Sequence, residues 1–257
     1  MARFKAAVFD WAGTTIDFGS FAPVGAFVEA FRRFGIQATA AEARAPMGAP
    51  KWHHVRAMLE MPGIARQWQA RHGRAPQAAD VDKVYDVFVP MNEDVVADDA
   101  TLVPGTVETL RARGMKIGST TGYTRSIMER VLPKAAAQGY APDNLVCADD
   151  LPERRPGPLC MDQYFIDLAV SPPEAVIKVD DTAPGIAEGV AAGCVTAGVA
   201  LSGNAVGRTP EALAAMHPDK VARRRADASA TLKEGGADHV IDTVADLPAL
   251  LDRLEVA

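Results

Sequence analysis

The chain has 257 residues, 48% of them hydrophobic and 23% charged, with a formal charge of -6 and a pI near 5.4. That balance suits an ordinary globular protein of one large domain or two smaller ones, and its acidity argues against a general binder of nucleic acid or of anionic membranes. No apolar run reaches the roughly 18 residues of a membrane-spanning helix, and Asp10 interrupts the first apolar run before any cleavage-like segment. Three widely spaced cysteines, Cys147, Cys160 and Cys194, argue against a disulfide frame or a zinc site. A cytoplasmic protein is the expectation.

A short apolar run through Val8 and Phe9 stops at Asp10, and Gly13, Thr14 and Thr15 supply a tight, hydroxyl-rich turn. This predicts a buried strand with Asp10 at its C-terminal end, where open α/β sheets keep their reactive groups. Pro23 then opens a helix with Val24, Phe27, Val28 and Phe31 on one face, closed by Gly35. Further helices are expected near Ala40 to Ala45, Lys51 to Glu60, Ile64 to His72 and Asp80 to Met91, with no convincing strand between Ser20 and Ala100. From Pro104 an alternating pattern resumes: a helix through Val107 and Leu110, then strands at Met115 to Thr120, Leu145 to Ala148, Val176 to Val179, Val195 to Ala200 and His239 to Ile241.

Helices between successive strands predict an α/β fold with a doubly wound, mostly parallel sheet. Residues 1–20 and 100–257 are expected to form this core, and 21–99 an all-helical domain inserted between its first two strands. The stretch 202–236 is the least readable; Gly203, Asn204 and Gly207 suggest a loop, and Arg223 to Arg225 a solvated helix face.

Three later stretches converge on Asp10. In Gly118 to Thr124 a strand ends in Ser119, Thr120 and Thr121 and opens a helix, an arrangement suited to a phosphate oxygen. Arg155 is a cation on a loop bounded by Pro156 and Pro158. Asp180 and Asp181 end the Val176 strand, and paired carboxylates there are costly unless a cation sits between them and Asp10. Magnesium is the natural candidate.

Taken in this order, the four stretches resemble the haloacid dehalogenase superfamily, whose members use a first-strand aspartate to accept a phosphoryl group. The resemblance covers nearly the whole chain and implies that the helical insert is that family's cap. Two positions depart from it. Its phosphatases carry a second aspartate, a general acid and base, where this chain has Ala12, and many members carry another acid where this chain has Gly185. The stretch Met47 to Arg56, with Lys51 and His54 one helical turn apart, resembles the phosphonatase branch of the superfamily, which cleaves the carbon–phosphorus bond of phosphonoacetaldehyde. There a cap lysine forms a Schiff base with the aldehyde, and Lys51 matches it.

The resemblance therefore implies Asp10 as nucleophile and Lys51 as Schiff-base lysine, and His54, one helical turn from Lys51, is placed to relay protons or position a water. Thr120, Thr121 and Arg155 would hold the phosphoryl group, while Met47, Gly48 and Tyr123 shape the chamber. Asp10, the Ala12 carbonyl and Asp181 would bind Mg²⁺, with Asp180 the less certain ligand. A homodimer is expected as well, partly because a small cap need not bury both Phe27 and Phe31 alone. The competing readings are a magnesium-dependent phosphatase or phosphomutase acting on a small ester, against which Ala12 speaks, and a catalytically silent binding protein, against which Asp10, Lys51 and Asp181 speak.

Overall fold

A computed structural model describes residues 3–106 and 113–256. Its centre is β1 (Ala6–Phe9), buried along its whole length, as a strand covered on both faces of a parallel sheet must be. Five more strands flank it: β2 (Lys116–Thr120), β3 (Asn144–Val146), β4 (Val176–Asp180), β5 (Val195–Val199) and β6 (His239–Ile241). Among the described residues they form one all-parallel sheet in the order β3-β2-β1-β4-β5-β6. The fold class is the expected one. The two-residue period of β1 assigns its faces: Ala7 and Phe9 pack with Ile177, Val179 and Leu250 on one side, and Ala6 and Val8 with Met161 and Tyr164 on the other.

Between β1 and β2 the chain is helical: α1 (Ala22–Arg33), α2 (Ala40–Arg44), α3 (Lys51–Glu60), α4 (Pro62–His72) and α5 (Ala78–Asp98). These helices bury their own core around Phe27, Phe31, Met58, Trp68 and Phe88, with Phe27 stacked on Phe88 at 4.0 Å between ring centroids. Phe27 and Phe31 are both fully buried within this chain, so their packing supplies no reason for a second copy. The chain leaves the sheet and returns to it along adjacent paths: the Asp17 amide donates to the Thr101 carbonyl and the Val103 amide to that of Thr15.

The helix expected to end at Met91 runs on to Asp98, through Pro90. What sustains the extra turns is docking on α6 (Arg125–Ala137): Ser126 donates to Glu93, Arg130 pairs with Asp94 at 2.6 Å and Lys134 with Asp98 at 2.8 Å. The remaining helices cover the sheet: α7 (Leu159–Leu168), α8 (Ala183–Ala191), α9 (Pro210–Ala214), α10 (Pro218–Glu234) and α11 (Leu247–Val256). Thus 202–236 holds two helices, α10 carrying Arg223 to Arg225 largely in solvent. The helix expected through Val107 and Leu110 lies outside the described residues. The third strand stops at Val146, because Cys147 turns away to donate its amide to Asp150.

Candidate active site

The C-terminal ends of β1, β2 and β4 lie side by side, with Phe9 in register with Ser119 and Val179, so Asp10, Thr120 and Asp180 emerge at one edge. The turn after Asp10 is bound back to the strand: the Thr15 hydroxyl donates to the Asp10 carbonyl at 2.9 Å, and the Asp10 amide to that of Val179 at 3.0 Å. Gly13, at φ +84°, lies against Asp181, whose carboxylate would stand 2.2 Å from any added Cβ.

Asp10, Asp180 and Asp181 are buried and bring ligand-capable oxygens within 4.8 Å of one another. Burial, and then Asp180, raise the Asp10 carboxyl to about 6 against the pull of Arg155 and Lys178. Burial, with Asp10 and Asp180 beside it, pushes Asp181 well above the usual carboxylate range. Burial acts on Asp180 in the same sense, but Arg155 and Lys178 outweigh it and hold that group down. Such crowding of hard oxygen donors is relieved by a divalent cation, which the donor set suits.

Arg155 reaches in from the loop after β3 and gives Nη1 to Asp10 Oδ1 at 2.8 Å, Nη2 to the Thr120 carbonyl at 2.9 Å and Nε to Glu188 at 3.2 Å. Under it lies a layer that sequence reasoning missed. Glu188 Oε2 accepts from the Thr120 hydroxyl at 2.6 Å and lies 3.2 Å from Lys178 Nζ, which also donates to Thr120 Oγ1 at 2.7 Å and pairs with Asp180 at 3.1 Å. Lys178 and Glu188 have no exposed surface. A lysine in the middle of the apolar run Val176 to Val179, and a glutamate on the apolar helix α8, were the available signal, because neither charge can be buried alone.

The helical segment lies over this edge. Asp10, Ala12, Met47, Gly48, Lys51, Thr121, Tyr123 and Arg155 line one chamber, together with Ser20, Pro23, Gly122 and Thr182, and about 20 Å³ of free space remains in it. That is room for about one water. Gly48, at φ +89°, approaches so closely that an added Cβ would stand 2.4 Å from the Thr182 hydroxyl. Lys51, at the first turn of α3, is 6% exposed; its Nζ lies 4.0 Å from Met47 Sδ and 5.1 Å from the centre of the Tyr123 ring. Burial lowers its ammonium to about 8, helped by Arg155 and opposed by Asp10 and Asp181.

Three expected site residues stand outside the chamber's lining, Asp181 among them, where it meets Gly13 and the Thr14 hydroxyl. The Thr120 hydroxyl is taken up by Glu188, Lys178 and Arg155 beneath it. His54 is fully buried, stacked on Phe27 at 3.7 Å with Nε2 on the Ala43 carbonyl at 2.9 Å, while Nδ1 has no partner among the described residues. Burial, and then Lys51, push His54 well below its ordinary pKa, so it is neutral.

The strand that ends at Asp10, the acidic cluster and the sheet order define the class: a family model for haloacid dehalogenase-like hydrolases matches residues 4–193. The phosphonoacetaldehyde hydrolase of Paraburkholderia phytofirmans is 47% identical over 256 residues, spanning 98% of this chain and 96% of the relative; that of Klebsiella pneumoniae is 48% identical, spanning 98% and 95%. The crystal structure of a phosphonoacetaldehyde hydrolase-like protein from Oleispira antarctica superposes with a TM-score of 0.95 at 42% identity, covering 99% of this chain and 93% of that one. The chain therefore belongs to the phosphonoacetaldehyde hydrolase family of the haloacid dehalogenase-like hydrolases. A β-phosphoglucomutase from Clostridium difficile, with a TM-score of 0.65 at 15% identity over 99% and 100% of the two chains, shares the fold alone.

Proposed function

We propose that this protein hydrolyses the carbon–phosphorus bond of phosphonoacetaldehyde to acetaldehyde and inorganic phosphate, with Lys51 and Asp10 as its two covalent groups. The observation that carries this is a buried lysine of lowered pKa lining one chamber with Asp10 and Arg155. Curated relatives of nearly equal length that bear this name support the same substrate.

Carbon leaves phosphorus poorly, and there is no bridging oxygen to protonate. The neutral Lys51 amine adds to the aldehyde carbon and water leaves, giving a protonated imine. The Asp10 carboxylate then attacks phosphorus, while Arg155 neutralises the phosphonate oxygens. As the C–P bond breaks, its electron pair forms a C=C bond and neutralises the iminium nitrogen, so an enamine departs instead of a carbanion. Proton transfer to the enamine carbon and hydrolysis of the resulting imine release acetaldehyde and free Lys51. A second water cleaves the aspartyl phosphate, so the sum consumes one water. His54, held well below its ordinary pKa and outside the chamber, is a weak base and is assigned no proton transfer in this reading.

The residues present fit a divalent metal, and Mg²⁺ is our reading of it, held by Asp10, the Ala12 carbonyl and Asp181. When bound it supplies positive charge that lets the dianionic phosphonate approach the carboxylates. Residues 21–99 form the cap in this proposal, and substrate entry requires it to lift, because about 20 Å³ admits no phosphonate. A homodimer is inferred from the resemblance alone, and sedimentation equilibrium at micromolar concentration tests it. No helix among the described residues is long and apolar enough to cross a membrane. The deciding experiment is metal-dependent phosphate release from phosphonoacetaldehyde; absence of turnover with the native protein refutes the assignment.

A further inference from the structure

Arg44, which ends α2, is half-buried at the seam between the helical segment and the sheet. Its Nη1 donates to the Gly19 carbonyl at 2.7 Å and to the Asn204 carbonyl and Oδ1 at 3.1 and 3.0 Å. The Asn204 side chain returns the contact, giving Nδ2 to the Arg44 carbonyl at 3.1 Å. The amide of that same Asn204 donates to Asp181 Oδ2 at 2.7 Å. One residue of the core loop thus grips the cap with its side chain and a metal-ligand candidate with its backbone.

The loop that carries Asn204 is tied to the core at Ser202, which donates to the Gly13 carbonyl at 2.8 Å and accepts from the Gly19 amide at 2.7 Å. A groove of about 330 Å³, lined by Arg44, Met47, Asp181, Thr182, Asn204 and Thr231, runs along this side of it. Gly207, at φ +54°, leaves room for the guanidinium, which would stand 2.6 Å from an added Cβ. Seating Arg44 thus adds bonds to the carbonyl and the side chain of Asn204, beside the amide that reaches Asp181, and those bonds form when α2 lies against the core.

We infer that Arg44 is a positioning residue that couples closure of the helical segment to metal affinity, acting through Asn204 on Asp181. Closure orients Asp181 Oδ2 with a hydrogen bond, while Oδ1, which accepts from the Thr14 hydroxyl at 3.2 Å, keeps a lone pair for the ion. By linkage, a bound ion favours the closed seam to the same degree. The substrate chamber then closes most firmly once the charge needed for phosphoryl transfer is in place. This deepens the reading of Asp181 as a metal ligand and rests on it.

The test is calorimetric titration of Mg²⁺ into the native protein and into Arg44→Met, Asn204→Ala, the double variant and Asp181→Ala, with a thermal melt on each. Asn204→Ala keeps the amide that reaches Asp181 and loses only the grip on Arg44. Each single variant is expected to bind Mg²⁺ about tenfold more weakly, the scale of one hydrogen bond to a charged group. The double variant should be no weaker than either single one, and KM for phosphonoacetaldehyde should rise more than kcat falls at saturating Mg²⁺. Arg44→Lys, which keeps the charge but reaches fewer carbonyls, should fall between and substitutes if Arg44→Met does not fold. Native Mg²⁺ affinity in both Arg44 variants, or independent additive losses in the double variant, overturns the inference while leaving the ligand reading intact. Native affinity in Asp181→Ala removes the ligand reading and the inference with it.

Discussion

Lys51 can form an imine only as the neutral amine, so its protonation sets the rate of trapping by borohydride in the presence of aldehyde. With the ammonium at about 8, roughly a tenth of the side chains are neutral at pH 7, against about 0.04% for a free lysine at 10.4. Burial thus supplies about a 200-fold gain in reactive amine. Lowering the pKa of a base depletes its charged form, so trapping should rise with pH up to about 8 and then level, instead of climbing to 10. Asp10 opposes this shift, because its negative charge stabilises the ammonium. Asp10→Asn removes that charge along with the nucleophile. Trapping on Lys51 at pH 7 should persist and accelerate, by at most about tenfold because the neutral fraction cannot exceed one, while phosphate release stops. The assay is mass spectrometry of the reduced adduct after peptide digestion, sampled from pH 6 to 10 in both proteins. A midpoint near 10, an adduct on another lysine, or loss of trapping in Asp10→Asn would refute the reasoning.

Lys51→Arg keeps the charge and cannot form the imine, so phosphonoacetaldehyde turnover should fall below detection while the melting temperature holds; measurable turnover contradicts the Schiff base. Asp181→Ala should abolish activity at low Mg²⁺, read as phosphate release against Mg²⁺ concentration, and full activity there would mean the ligand is misassigned. Glu188→Gln leaves Arg155 and Lys178 short of a buried counter-charge, which should lower the unfolding free energy by about 3–5 kcal/mol in denaturant titration and reduce kcat at least tenfold. Phe27→Ala should cost a similar 3–5 kcal/mol through the cavity left between His54 and Phe88. Ala12→Asp should raise hydrolysis of small phosphate monoesters and impair phosphonate cleavage, and an unchanged ratio of the two rates would show that position 12 does not face the leaving group.

Where a residue's place follows from local pattern, the sequence was enough. Asp10, Asp181 and Thr121 end apolar strands, so strand pattern carried them to the sheet edge, whereas Lys51 opens a helix after Pro50 as many solvated lysines do and was singled out only by the family resemblance. The helical insert was legible because α1 shows a clean apolar face and no strand signal interrupts the segment. What escaped depends on pairing over long separations. Glu188 matters only because Lys178, Thr120 and Arg155 converge on it, and no window of sequence contains that meeting. Arg44 likewise reads as a surface arginine until Asn204, 160 residues away, is brought against it. Phe27 and Phe31 give no reason for a partner, because residues of the four other helices cover the face that periodicity identified.

The absence of an acid at position 12 and the presence of Lys51 are two sides of one chemical choice. A phosphatase must protonate an alkoxide as it leaves, and a positioned acid contributes about 10²- to 10⁴-fold to that step. In C–P cleavage the leaving electron pair sits on carbon, and an acid near the bridging position has no lone pair to protonate. A carboxylate there would also add to a chamber edge already crowded by Asp10, Asp180 and Asp181. Ala12 and Lys51 line the same chamber, Ala12 without adding charge and Lys51, in the proposed reaction, as the sink for the electron pair. The electron sink must be an amine that is neutral before the reaction and cationic during it. Burial lowers its pKa toward the first state, and Asp10, the proposed nucleophile, supplies negative charge that favours the second. In the proposed mechanism the pull of Asp10 on Lys51 therefore acts before phosphorus is attacked: it costs some neutral amine at rest and stabilises the iminium until the carboxylate's charge passes into the acyl phosphate.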